Sequence, residues 1–375
     1  MRRPSTGASS RIYSRENVGR YSERARQRRR GRLIKRVVVC TLIGVLVFAA
    51  GAAGLWFNRI SGKLRGASIT DSLLATLVDS NVTQEPFYML LLGTDGRPGE
   101  SSFRSDTIVL SRIDPKEKQV TLISIPRDTR VTLSNGETAK INAAHALGGP
   151  EEVVKSVNKL CGVEISHYAE VSFDGMQQLV DALGGVEVNV PEKIDDPKAG
   201  DMVIEPGLQT LDGASALAFC RSRAFPDGDY TRMRHQRIFI SALAKTLLEK
   251  TDPTNIVPLI ESLSDMIDTD MSIQEIASLA NAMRGMDTDK IWSANLPSWA
   301  GEDTYVNGVS YVFADEEAVA EMMARVDAGE DPKGPQTMGS GGSASATTGD
   351  LSKNTASDWS NGTASVSGSD GDEEE

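Results

Sequence analysis

The chain is poor in the features that identify many enzymes at sight. Its 375 residues hold three cysteines, Cys40, Cys161 and Cys220, and no CxxC pair. Three thiols cannot build a disulfide scaffold, and without paired spacing they suggest no zinc site. No Walker loop, GxSxG elbow or HExxH helix occurs, which removes P-loop NTPases, elbow-type hydrolases and zincin proteases. No internal repeat is present. His145 and His167 lack metal-ligand spacing and read as structural.

Charge is unevenly distributed. Residues 1–36 carry 13 of the 40 Lys and Arg residues against two acids, Glu16 and Glu23. The remainder has 27 bases and 50 acids, a net of −23. Opposite signs in the two parts point to different compartments or partners. Between them runs 37–57, 21 residues without a charge. At about 1.5 Å per residue such a helix spans roughly 30 Å, the thickness of a bilayer core. The arginines of the N-terminal flank keep that side in the cytoplasm and place everything after Phe57 outside. The basic arm then meets lipid rather than nucleic acid. A cleaved signal peptide is the alternative, with Ala50-Gly51-Ala52 as its small-residue site.

From about Gly329 the chain turns to Gly, Ser, Thr and Asp and ends in acids. It has too little apolar surface there to offset chain entropy, which predicts disorder. The expected organisation is an arm (1–36), a membrane helix (37–57), a stalk (58–83), a folded body (84–328) and an acidic tail (329–375). Outside the membrane Cys161 and Cys220 are the only possible disulfide pair. Both follow apolar stretches and are expected as buried free thiols, with a bond as the alternative.

Within the body, Phe87–Leu92, Thr107–Ile113, Val120–Ile125, Tyr168–Phe173 and Val186–Val190 are apolar or β-branched runs that predict strands. Glu151–Leu160, Gly175–Leu183, 230–250, Ile273–Met283 and Glu316–Val326 predict helices. The alternation predicts an α/β fold in which helices cover a sheet.

Arginines and aspartates gather beside these runs. Asp95 and Arg97 follow the first strand. Arg104 and Asp106 share a face just before the second, and Arg127 and Asp128 follow the third. Arg221 and Arg223 close the apolar stretch Ala216–Cys220, and Arg232 and Gln236 share a face of the long helix. Asp196 and Lys198 fall on a loop away from these groups and read as bystanders. Guanidinium forks suit phosphoryl oxygens, and carboxylates suit the Mg²⁺ that neutralises them. Each pair taken alone is equally an ordinary surface ion pair. By spacing, this is a candidate phosphate site.

Specific blocks sharpen that reading. The segments 90–97 (LLLGTDGR), 104–107 (RSDT), 124–128 (SIPRD), 140–144 (KINAA), 179–188 (LVDALGGVEV), 211–214 (LDGA), 221–223 (RSR) and 229–232 (DYTR) resemble, in order, those of the LytR-CpsA-Psr family. The resemblance covers roughly 87–250. It implies an α-β-α domain with a mixed β-sheet covered by helices on both faces, behind one transmembrane helix. It also implies a phosphotransferase that ligates a polyprenyl-pyrophosphate-linked anionic glycopolymer to peptidoglycan by a phosphodiester, with Mg²⁺ or Mn²⁺ as cofactor. Asp95 and Asp106 match the metal ligands. Arg104, Arg127, Arg221, Arg223, Arg232 and Gln236 match the pyrophosphate-binding set. Arg127 and Asp229 match positions beside the reacting phosphates. One departure is that His235 stands where the family often has a second arginine, with Arg234 beside it. The competing readings are a lipid-pyrophosphate hydrolase and a non-catalytic wall-associated regulatory protein.

Overall fold

The computed structural model describes residue 66 and residues 68–95, 104–226, 229–250, 267–287, 290–300 and 304–333. The basic arm, the apolar run 37–57, the start of the expected stalk and the tail from 334 lie outside the described residues. Among the described residues no helix is long and apolar enough to cross a membrane.

The main strands are β1 (Phe87–Thr94), β2 (Ser105–Asp114), β3 (Gln119–Ser124), β4 (Ile165–Ser172), β5 (Val186–Val190), β6 (Gly207–Leu211), β7 (Ile267–Thr269) and β8 (Ile291–Asn295). The helices are α1 (Ile141–Cys161), α2 (Phe173–Ala182), α3 (Gly213–Arg221), α4 (Asp229–Lys250), α5 (Ile273–Ala282) and α6 (Glu316–Asp327). Six strands form one mixed sheet in the order β7-β4-β1-β2-β3-β8. Strands β1, β3, β4 and β8 are mutually parallel, and β2 and β7 run against them. The ends of four strands and the start of β2 therefore share one edge of the sheet.

Period-two patterning decides which side chains each face receives. Leu90, Leu92, Ile108, Leu110, Ile123 and Ile125 pack on one side under α1 and α6, against Val153, Val157, Met322 and Met323. Leu91, Val109 and Leu122 pack on the other under α3 and α4, against Phe219, Ile238 and Phe239. Fully burying a side chain such as Phe219 contributes roughly 1.5–3 kcal/mol. The antiparallel ribbon of β5 and β6 closes the same side, and so Val186–Val190 belongs to a ribbon rather than to the central sheet.

Two other expectations are modified. Part of the expected stalk packs onto the body: Leu73 is wholly buried in the core beside α1, and the Val78 N–H donates to the Ile165 carbonyl at 3.1 Å. The helix expected from Glu151 has an additional segment before it, because α1 begins at Ile141 and kinks at Gly148 and Gly149. Gly149 sits at φ 74°, a left-handed conformation that glycine adopts without strain, and Pro150 then starts the second segment without an N–H to satisfy.

Candidate active site

The shared edge of the sheet carries a cavity of about 580 Å³. Asp106, Arg127, Arg221, Arg223, Arg232 and Gln236 all line it. Asp106 is the second residue of β2, and Arg127 lies just past β3. Arg232 and Gln236 sit one turn apart on α4, and the Gln236 amide donates to the Cys220 carbonyl at 3.1 Å. Arg221 is the last residue of α3, and its guanidinium lies 5.1 Å from the ring centre of Phe173. Asp95 and Arg104 are both exposed and are not among the lining residues.

The apolar stretch Ala216–Cys220, left unassigned by its pattern, is helical. Asp212 caps it, accepting from the Ser215 N–H at 2.8 Å, and the stretch Ala216–Cys220 has no β-branched residue to disfavour a helix. Gly213 lets α3 approach α2, since a Cβ there would stand 2.4 Å from the Gln177 carbonyl oxygen.

Three guanidiniums converge on one carboxylate oxygen. Asp229 Oδ1 lies 2.9 Å from Arg232 Nη2, 3.6 Å from Arg223 Nε and 3.9 Å from Arg127 Nε. Arg127 also donates from Nη1 to Asp106 Oδ1 at 2.5 Å, and Arg232 donates to the Asp106 carbonyl at 3.1 Å. Burial pushes the Arg232 guanidinium down to about 10, an effect that Asp229 only partly opposes. Burial also works against the charge on Arg127, but the hydrogen bond to Asp106 and the nearby Asp229 hold it above its ordinary value. The Nε groups of Arg127 and Arg232 are buried without a hydrogen-bond partner. Each such donor costs about 1–3 kcal/mol until an acceptor reaches it, so the cluster favours an anionic oxygen ligand.

Asp196 and Lys198 are not bystanders. Both line the cavity, and Asp196 is 7% exposed. Its carboxylate accepts from the Arg223 N–H at 2.9 Å, the Ser222 hydroxyl at 3.1 Å and the Lys198 N–H at 3.0 Å. The Arg223 N–H in particular holds the Asp196 carboxyl below its usual range. Asp196 thus fixes the backbone that presents Arg223. Its separation from Arg223 by 27 residues left no local signal, and the aromatic support of Phe173 was equally silent.

The departure at position 235 is buried. His235 is fully enclosed, stacked on Phe219 at 4.5 Å and edge-on to Phe225 at 5.2 Å. Burial pushes its imidazole down, with Glu192 opposing. Arg234 pairs with the same Glu192. Neither residue lines the cavity, so neither replaces the missing arginine there. Cys161 and Cys220 are buried free thiols; burial pushes Cys161 up to about 12 and raises Cys220 as well.

Among the described residues no group of three or more His, Cys, Asp or Glu could hold a metal. The available donors are Asp106 and Asp95, placed where β2 begins and β1 ends. Mg²⁺ is usually held by one or two carboxylates together with substrate phosphates, and of these two donors Asp106 is the one that lines the cavity.

Residues 60–328 match the LytR_cpsA_psr family. The polyisoprenyl-teichoic acid–peptidoglycan teichoic acid transferase TagV of Bacillus subtilis (strain 168) is 29% identical over 73% of each chain. The corresponding TagU of Enterococcus faecalis (strain ATCC 700802 / V583) is 34% identical over 62% of this chain and 76% of its own. The crystal structure of B. subtilis TagV superposes with a TM-score of 0.57, covering 64% of this chain and 97% of that one at 30% identity. A structure of TagT bound to LIIa-WTA superposes with the same TM-score, covering 67% and 93% at 26% identity.

Proposed function

The chain belongs to the LytR-CpsA-Psr family, and on that footing we propose that it is a phosphotransferase acting in cell-wall assembly. It moves an anionic glycopolymer from polyprenyl pyrophosphate to peptidoglycan, leaving a phosphodiester. The observation that carries this reading is the convergence of Arg127, Arg223 and Arg232 on Asp229 in an open cavity. A pyrophosphate supplies the oxygens these cations lack, and it would displace Asp229 from them.

In the reaction a peptidoglycan hydroxyl forms a bond to the phosphorus that bears the polymer. The bond from that phosphorus to the bridging oxygen breaks, and polyprenyl phosphate leaves. Arg127, Arg221, Arg223 and Arg232 stabilise charge growing on the phosphoryl oxygens, with Arg127 and Arg232 held by hydrogen bonds, Arg221 against the Phe173 ring and the Arg223 backbone by Asp196. Gln236 and Arg104 complete the pyrophosphate-binding set. Asp229, freed from the arginines by the donor, would then stand beside the reacting phosphates as the carboxylate that takes the hydroxyl proton in this reading. Asp95 and Asp106 would hold Mg²⁺ or Mn²⁺, whose chemistry is to neutralise pyrophosphate charge.

The proposed setting is the outer face of the cell membrane, with 37–57 as a single-pass anchor and 1–36 in the cytoplasm. The test is an in vitro assay with a defined lipid-linked donor and a peptidoglycan acceptor. Covalent polymer on the acceptor, dependent on Arg127 and Arg232, is the expected result. Release of polymer phosphate at the same rate with and without acceptor would make the protein a hydrolase instead.

A further inference from the structure

Two short segments, Ser298–Trp299 and Phe313–Ala314, pair as an antiparallel ribbon in which Trp299 stands opposite Phe313. Their rings stack with centroids 5.7 Å apart and planes 25° from parallel. The Arg130 guanidinium lies 5.5 Å from the Phe313 centroid. Trp299 is nonetheless 44% exposed. A large ring fixed by a stacked partner yet open to water is a feature of binding surfaces.

The position of this stack is specific. The first segment continues β8, with the Leu296 N–H donating to the Ser124 carbonyl at 2.8 Å beside the end of β3. The Ser298 hydroxyl donates to the Leu296 carbonyl at 3.0 Å and lies beside Tyr230, the neighbour of Asp229. On the second segment the Val312 N–H donates to the Asp128 carbonyl at 2.9 Å, and the Arg130 N–H donates to the Val312 carbonyl at 2.8 Å. The aromatic pair is thus built onto the immediate neighbours of Arg127 and Asp229. It follows the ends of β3 and β8, at the same edge of the sheet as the cavity, whereas Phe173 and Arg221 line the cavity from the ends of β4 and α3.

We propose that Trp299 and Phe313 form the acceptor platform, on which a pyranose ring of the peptidoglycan glycan strand stacks while its neighbour presents a hydroxyl to the donor phosphorus. The proposal rests on the transferase reading. A saccharide fits because a pyranose has a flat C–H face for the indole, and polar edges for the hydrogen-bonding backbone around it. Its backbone bonds to Ser124, Asp128 and Arg130, on either side of Arg127, favour a co-substrate over a membrane contact, which would have no need to be built there.

The test uses the full chain in detergent micelles, with peptide-free glycan fragments released by muramidase as the probe. Saturation-transfer NMR should show sugar C–H protons receiving magnetisation from the wild-type protein, with the effect lost in Trp299→Ala and kept in Trp299→Phe. In the transfer assay Trp299→Ala should raise the acceptor KM about tenfold, with a much smaller change in kcat, and Trp299→Phe should restore most of the loss. Fragment binding that ignores Trp299, or a variant that loses donor affinity as much as acceptor affinity, overturns the platform. So does a variant whose only defect is weaker association with anionic lipid vesicles. Transfer by the wild type with no dependence on Trp299 rejects the platform alone. Trp299-dependent binding in a protein that transfers nothing rejects the transferase reading alone.

Discussion

Two clusters of charge lie on the same sheet and differ in how fully their members are matched. Around β4, Glu170 accepts from the Tyr168 hydroxyl at 2.7 Å and the Thr94 hydroxyl at 3.2 Å, with His145 Nε2 at 3.3 Å. Burial raises its carboxyl, but His145 and Tyr168 outweigh that and hold it below the usual range. Nearby His167 contacts Asp270 at 2.7 Å and the Ser80 hydroxyl at 3.1 Å. These groups have their partners, and His145 and His167 serve structure. At the cavity five cations, Arg127, Lys198, Arg221, Arg223 and Arg232, face three carboxylates, Asp106, Asp196 and Asp229. Similar buried polar chemistry is closed in the first cluster and open in the second, and only an open one has a use for a ligand.

Breaking the closed cluster should produce the largest effect. Glu170→Ala removes the acceptor shared by the Tyr168 and Thr94 hydroxyls and faced by His145, and the expected loss is about 3–5 kcal/mol of stability. Chemical denaturation measures it, and a loss below 1 kcal/mol would mean that this cluster is as open as the other. In the cavity the outcome reverses. Arg127→Ala or Arg232→Ala should slow transfer by roughly 10²–10³-fold, the usual loss for one charge-stabilising donor. Asp106→Ala and Asp95→Ala should both weaken transfer and, on the proposed metal role, raise the Mg²⁺ concentration that half-maximal transfer needs in a titration. The melting temperature of Arg232→Ala should hold or rise, because burial disfavours that cation, whereas Arg127→Ala should fall slightly, because its pair with Asp106 is lost. A collapse in melting temperature would reassign them to structure.

Asp196 bridges the two behaviours, being saturated itself while it positions an unsaturated neighbour. Asp196→Asn should cost about 1–3 kcal/mol, from weakened acceptance of the Ser222 and Arg223 bonds, and should raise the donor KM. Since the folded carboxyl lies below its ordinary 3.8, its contribution is fully present above that pH and is lost as pH falls through the lower folded value. The difference in melting temperature between wild type and variant should therefore narrow in acid below 3.8. A gap independent of pH would show that the carboxylate charge is irrelevant. The smallest effect is expected at Lys198, which is exposed. Lys198→Ala should weaken donor binding by no more than about 1 kcal/mol, and by less at high salt.

Much of the fold, though not this contrast, was legible in the sequence. Periodicity found β1, β2, β3 and Val186–Val190 within a residue or two and β4 within three, because alternation is imposed locally by the pleat, and it missed β6, β7 and β8. The long helix of Arg232 and Gln236 and the helix closed by Gly184 were equally local. The failures share a cause. Ala216–Cys220 is a short apolar run that reads as strand or helix alike until the Asp212 cap is weighed. The role of Leu73 depends on α1 and β4 meeting it, and no spacing within 58–83 announces that.

By itself the sequence determined the element types, the two apolar faces of the sheet and the residue chemistry gathered at one of its edges. These follow from side-chain period, capping and the guanidinium group, all of which act over a few residues. Only the tertiary structure decided which charges are matched and which are left over. That distinction depends on pairs such as Asp196 with Arg223, Arg127 with Asp106 and Trp299 with Phe313, which are brought together across 27, 21 and 14 positions. Desolvation penalises a charge according to its whole surroundings, and those surroundings are assembled by the fold rather than by the neighbouring residues.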